Sequence, residues 1–221
     1  TRGSEATFVN AQGLIQSTAS NDAPRLDYST GAKAFLLEPQ STNLVPYSED
    51  FTQGWILSNA TIVSNSIISP NGLSNASKIT TSVFGGGLSD SLSVSDGNLT
   101  FSLFVKKGTT NGIRLRIDAA TDSNGFFDLV NNTVHSSTDD ASIESFGNGW
   151  YKISVSANIT SFSKVAIYTT DGSSNYENGS VYIYGAQLEQ QSYPTSYIPT
   201  SGASATRNQE LCNNATPVIN S

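Results

Sequence analysis

His135 and Cys212 are the only imidazole and the only thiol in a chain of 221 residues. A serine or cysteine nucleophile needs a base, most often histidine, that is itself held by a third group. His135 ends the run Asn131-Asn-Thr-Val-His135, which reads as a hairpin with no such partner beside it. One thiol and one imidazole fall short of a transition-metal site, and a lone thiol makes no internal disulfide. Carboxylates offer more material. Glycoside cleavage needs two acids roughly 5–10 Å apart across the bond, and Asp139-Asp140, Asp118 with Asp122, and Glu49-Asp50 are the candidate pairs. Acidic residues outnumber basic ones 18 to 11, and most of them must simply face solvent, so the expectation is a protein that is not an enzyme. The same oxygens suit calcium, which takes about six to eight oxygen ligands. A structural calcium is expected, if anywhere, near Asp50 or near Asp118 and Asp122; no loop has EF-hand spacing, and no other cofactor is implied.

Aromatic and guanidinium groups point to binding instead. Sugar rings carry apolar C–H faces that stack on aromatic planes, and Trp and Tyr add a polar handle. Tyr182 and Tyr184 share one face of Ser180-Val-Tyr-Ile-Tyr184, opposite Val181 and Ile183. Arg114 and Arg116 alternate with Ile113, Leu115 and Ile117. A strand face with two arginines is a poor core face, because burying an unpaired charge is costly. Tyr182, Tyr184, Tyr168 and Trp55 are therefore the candidates for stacking on a ligand, and Arg114 and Arg116 for its hydroxyls or carboxylates. Trp150, after the tight Gly147-Asn-Gly149 turn, reads at least as well as core.

Short strands must position these residues. Runs 60–68, 76–82, 99–106, 112–118, 125–130, 141–145, 150–158, 163–169 and 180–189 read as strands, many with clean period-two alternation. Phe101, Leu103 and Val105 share one face of theirs, and Tyr151, Ile153 and Val155 share one of the next. With Asn, Gly, Asp and Ser turns between the strands, and no alternating helical pattern, the expected fold is all-β: an antiparallel β-sandwich, or jelly roll, with an N-terminal β-arm. The arm is residues 1–41, short β-like pieces broken by signals such as Asn21-Asp-Ala-Pro24, which cannot form a stable sheet alone. It must pack on the body or on a neighbour. The body is 42–200, opening with a Ser48 placed to cap one helical turn. Residues 201–221 read as a linker to a following domain.

Composition narrows the partners. Net charge is −7 with no basic cluster beyond Lys106-Lys107, which excludes a phosphate-binding nucleic-acid site. No apolar run approaches the roughly 20 residues a membrane helix needs. Hydrophobic residues make up 37% and aromatics 10%, too much for a disordered chain.

Several stretches resemble a recurrent segment of bacteriophage structural proteins: Ala6-Thr-Phe-Val-Asn10, Pro24-Arg-Leu-Asp-Tyr28, Leu37-Glu-Pro-Gln-Ser-Thr-Asn-Leu44, Gly147-Asn-Gly-Trp-Tyr151, Tyr184-Gly-Ala-Gln-Leu-Glu189, Ser192-Tyr-Pro-Thr-Ser-Tyr-Ile-Pro-Thr200 and Ala205-Thr-Arg207. They run in order through nearly the whole chain. The resemblance, to phage tail or head-fibre receptor-binding modules, implies a carbohydrate-binding jelly roll on the virion surface or outside the cell. It also implies cell-surface or extracellular polysaccharide and other virion proteins as partners, and a homo-oligomer, a trimer, as assembly. Asn43-Leu44, Asp50-Phe51 and Trp55 also resemble the opening of galactose-binding-like carbohydrate-binding modules. Those often carry a calcium-binding aspartate on the closing strand; Gly185 stands at that place here. The expected function is non-catalytic glycan adhesion. A purely structural virion domain and an accessory module of a polysaccharide-degrading enzyme are the alternatives.

Overall fold

The computed structural model describes residues 3–18 and 24–210; the Asn21 to Ala23 part of the first turn signal, Cys212 and the rest of the expected lead-in lie outside them. The described chain is built of strands, with no helix. Five belong to the first 43 residues: β1 (Ala6–Val9), β2 (Ile15–Thr18), β3 (Leu26–Asp27), β4 (Ala34–Phe35) and β5 (Ser41–Asn43). The body follows with β6 (Ile56–Ser58), β7 (Ala60–Ile67), β8 (Ala76–Thr81), β9 (Gly87–Asp90), β10 (Gly97–Lys107), β11 (Gly112–Asp118), β12 (Ser123–Asp128), β13 (Thr133–Ser137), β14 (Asp140–Gly147), β15 (Trp150–Ile159), β16 (Lys164–Thr170) and β17 (Gly179–Glu189). A last strand, β18 (Ala205–Arg207), closes the described chain.

Two antiparallel six-stranded sheets form the sandwich. The first has the order β14-β15-β10-β17-β8-β7, the second β13-β12-β11-β16-β9-β6. The expected jelly-roll β-sandwich is therefore the fold. Alternation decides which side chains lie between the sheets: Phe101, Leu103 and Val105 of β10, Ile113, Leu115 and Ile117 of β11, Ile153 and Val155 of β15, and Val181 and Ile183 of β17 all join one buried core.

The alternation of β17 slips once. Between Ile183 and Leu188 its register against β10 shifts, and Gly185 sits at φ 64°. This is a bulge, which inserts one residue and flips the faces that follow. Upstream of it Ile183 points inward and Tyr184 outward; downstream Ala186 and Leu188 point inward and Gln187 and Glu189 outward. Only glycine adopts that φ without penalty, and a Cβ there would lie 3.1 Å from Phe104 and from Tyr197.

The outer face of the first sheet is covered. A second buried cluster joins Ile15 of the N-terminal hairpin to Ala76, Phe104, Trp150, Tyr184 and Tyr197. Ser48 caps no helix: its hydroxyl bonds the Tyr197 hydroxyl at 2.7 Å and takes the Thr200 amide at 2.8 Å, so it ties the chain's entry to its exit instead. Nor is the segment after 200 wholly linker. β18 pairs with β5 in register from Ala205 opposite Asn43 to Arg207 opposite Ser41, and Arg207 is inaccessible to solvent.

Two buried arginines clasp the two ends together. Arg25 bonds Glu38 at 2.8 Å and donates from Nη2 to Glu210 at 2.6 Å. Arg207 bonds the same Glu38 at 3.2 Å and donates to the Pro39 carbonyl at 2.7 Å. Burial of Glu38 works against its charge, but Arg207, Ser196 and Arg25 outweigh it and hold the carboxyl below its ordinary range. Glu189, brought to this face by the bulge, accepts from Ser41 and Thr195.

Candidate functional site

The outer face of the second sheet is the opposite case. Along β11 and β12 its side chains are only partly buried, as are Lys164 and Tyr168 on β16, while Ala166 and Thr170 between and beyond them are buried. Register sets them in rows. Arg114 on β11 lies opposite Phe126 on β12 and Tyr168 on β16, and beyond them come Ser136 of β13 and Gly87 of β9. The next row runs Asn124, Arg116, Ala166, Ser89.

Loop 171–178 crosses one end of this face. Ser174 bonds Ser136 at 3.0 Å, and Tyr176, bridged to Thr170, turns its ring onto the row. Tyr176 and Tyr168 meet edge to face at 5.6 Å. Beside them stands the Arg114 guanidinium, 5.0 Å from the Phe126 ring centre, 5.4 Å from that of Tyr168 and 5.7 Å from that of Tyr176. Arg114 donates from Nε to Asn124 Oδ1 at 3.0 Å, from Nη2 to the same oxygen, and from Nη1 to the Tyr176 hydroxyl. Such contacts fix a long side chain that would otherwise rotate freely. Gly87 matters here too: a Cβ on it would stand 2.8 Å from the Tyr168 ring and 2.2 Å from the Ile167 carbonyl, so glycine is what lets β9 approach Tyr168 this closely.

Arg116 is differently placed. It forms an ion pair with Asp118 and donates from Nη2 to Asp122 at 2.5 Å, while Lys164 stands 3.5 Å from Asp118. The two acids expected to favour calcium thus hold a guanidinium. Asp50 is exposed and accepts from the Thr52 amide at 3.0 Å and the Thr52 hydroxyl at 2.6 Å. Among the described residues no three His, Cys, Asp or Glu side chains gather as a metal site would need. His135 is exposed on the edge strand β13 rather than in the turn before it.

Two expected stacking residues are turned away from solvent. Trp55 is buried, tilted against Phe51 at 5.3 Å, with its indole N–H on the Tyr47 carbonyl at 3.1 Å. Tyr184 is 1% exposed. The alternation placed it correctly on the face opposite Val181, but that face lies under the arm and the 194–200 segment. Its hydroxyl donates to Glu49 at 2.8 Å and accepts from Asn71 at 3.0 Å. Burial, with Glu49 beside it, pushes the phenol well above its usual range. Tyr182, half-buried, packs at the margin of the same cluster with Lys78 6.0 Å from its ring centre. Trp150 is core, donating to the Ile68 carbonyl at 3.2 Å.

Of the six expected contact residues, Arg114, Arg116 and Tyr168 converge on one face. Phe126 and Tyr176 complete it and were not foreseen. Phe126 adjoins Phe127, so the pair gave no sign of which ring was core; Tyr176 lies in a loop where no period applies.

No protein-family model matches the chain, and no curated protein matches it in sequence. Among solved structures it is similar to the enzymatically active domain of bacteriophage CBA120 tailspike protein 4, with TM-score 0.39 and 13% identity over 66% of this chain and 21% of that one. It is also similar to the CBM22-1 xylan-binding domain from Paenibacillus barcinonensis, with TM-score 0.41 and 12% identity over 66% of this chain and 90% of that one. A third is the mannan-recognising carbohydrate-binding module TmCBM27, with TM-score 0.35 and 14% identity over 71% of this chain and 98% of that one. The chain spans about a fifth of the tailspike's length. Likenesses this distant carry no argument about what the chain binds.

Proposed function

We propose that the chain is a non-catalytic glycan-binding module that binds along the outer face of its second sheet. The observation that carries this reading is the row Phe126, Arg114, Tyr168 across three neighbouring strands, ended by Tyr176. Its rings supply apolar planes for the C–H faces of sugars, and its amide, hydroxyl and guanidinium groups supply directional bonds. A half-exposed row on a sheet fits a polymer laid across it. Asp118 and Asp122 are tied to Arg116, and Asp128, in the row beside Arg114, accepts from the Val130 and Asn131 amides, which supports binding without cleavage, since a general acid must be free to reach the glycosidic oxygen.

The phage-protein resemblance of the sequence supports a place on the virion surface or outside the cell. Cell-surface polysaccharide is then the ligand, and other virion proteins, with a trimer of this chain, are the partners. Such a face binds weakly, because each sugar hydroxyl gives up hydration. A single-site Kd in the high-micromolar to millimolar range is expected, about −4 to −6 kcal/mol, with adhesion coming from many copies.

A glycan array followed by calorimetric titration of the best polymer tests this. Tyr168→Ala and Phe126→Ala should each weaken binding about fivefold to tenfold, and Tyr182→Ala, on the other sheet, should bind like the parent. Unchanged binding by both of the first two variants would place the site elsewhere. No binding across a broad array would replace the glycan reading with that of a purely structural virion domain.

A further inference from the structure

The charges on this face are unevenly settled. Arg116 has Asp118 and Asp122, and Lys164 shares Asp118. Asp128, farther along β12, turns its carboxylate to the Val130 and Asn131 amides. Arg114 is held by an amide oxygen, a phenol and three rings, and among the described residues no carboxylate lies within ion-pair distance of it. Its neighbours therefore orient the guanidinium without neutralising it.

The donor count is equally uneven. A guanidinium has five N–H groups. Three are engaged, one each on Nε, Nη1 and Nη2. One N–H remains on each terminal nitrogen, enough for a two-pronged bond to a carboxylate where the two face the same way. A neutral sugar hydroxyl would use one of them and leave the positive charge unmet.

Resting on the glycan-binding reading, we propose that the ligand is an acidic polysaccharide, with a sugar carboxylate of the uronic-acid kind docked on Arg114 between Tyr168 and Phe126. The net charge of −7 does not oppose this at contact range. Salt screens distant charges within about 8 Å at physiological ionic strength, and the face itself balances Arg114, Arg116 and Lys164 against Asp118, Asp122 and Asp128, with Arg114 the one of these cations that has no acid within ion-pair distance among the described residues.

The experiment is calorimetric titration of the parent chain with polygalacturonate, alginate and hyaluronan, each paired with its own carboxyl-reduced, neutral form. At least one acidic polymer should bind about tenfold tighter than its reduced partner. That preference should shrink when sodium chloride rises from about 50 to about 300 mM. Arg114→Gln should lose the preference while keeping the weak binding of the reduced form, with Arg114→Lys intermediate because it keeps the charge and loses the fork. A parent that binds reduced polymers as tightly as acidic ones, with both losing affinity in Tyr168→Ala, would overturn the acidic assignment and leave the glycan reading standing. Binding to none of the six, nor to any member of a glycan array, would overturn both. Equal preference in the parent and in Arg114→Gln would move the acid to another residue and overturn the assignment to Arg114.

Discussion

At the scale of single residues, the side chains best placed for binding differ from those best placed for stability, and Asp90 shows why the distinction matters. It follows Leu88 by two on β9 and so points into the sandwich, 5% exposed, with no hydrogen-bond partner for Oδ2. Burial raises its pKa from 3.8 to about 6. An acid whose folded pKa is raised binds its proton more tightly when folded. Stability is therefore full below about pH 4, declines as the unfolded chain ionises, and levels off above about pH 6. Asp90→Asn removes the term. The variant should match the parent near pH 4 and melt higher at pH 7 by roughly 1–3 kcal/mol, or about 2–4 °C for each kcal/mol. Scanning calorimetry at the two pH values checks this, and a parallel offset at both would show that the carboxyl is not the cause.

At the scale of elements, one bulge on β17 decides what the outer face of the first sheet presents. Without the slip at Gly185, Ala186 and Leu188 would point outward, and Gln187 and Glu189 inward. With it, Glu189 reaches Ser41 and Thr195, and Tyr184 reaches Glu49. Gly185→Ala forces a Cβ into the left-handed region, which costs about 1–2 kcal/mol, and into contact at 3.1 Å with two rings. The melting temperature should drop by several degrees, while glycan affinity, read by titration at a temperature where the variant is folded, should stay within about twofold of the parent. A loss of binding as large as that of Tyr168→Ala would mean that the two sheet faces are coupled.

At the scale of the whole molecule, the arm and the tail are one structural unit because they share charges. Arg25, Glu38, Arg207 and Glu210 come from both ends of the described chain and are almost fully withdrawn from water. Removing one member of a buried pair strands the other, at about 3–5 kcal/mol. Arg25→Met should therefore lower the melting temperature more than Gly185→Ala does. Glu38, held below its ordinary 4.5, makes the clasp acid-labile: its contribution is present above about that pH and fades as pH falls through the lower folded value. The deficit of Arg25→Met should accordingly narrow in acid; like the Asp90→Asn offset it is largest at neutral pH, but it is opposite in sign. A deficit that is constant from pH 7 to pH 3 would show that packing, not charge, holds the arm.

The clasp also explains what the phage-like segments encode. Pro24-Arg-Leu-Asp-Tyr28, Leu37-Glu38 and Ala205-Thr-Arg207 supply its arginines and one of its acids, so those stretches mark how the chain closes on itself. What the sequence determined by itself was local. Nine strand spans were legible because alternation and turn residues act over a few positions, and the inward faces of β10, β11, β15 and β17 followed from the same period. The short β6, β9 and β13 were not, since runs of three to five residues give too weak a pattern. Sequence placed Tyr184 and Arg114 alike on outward faces. Only the tertiary structure decided that one outward face is roofed by residues more than 100 positions away while the other stays half-open. Period two distinguishes the two sides of a strand, but whether a side meets water depends on which distant segment packs over it, and that is set by the sum of contacts across the whole chain.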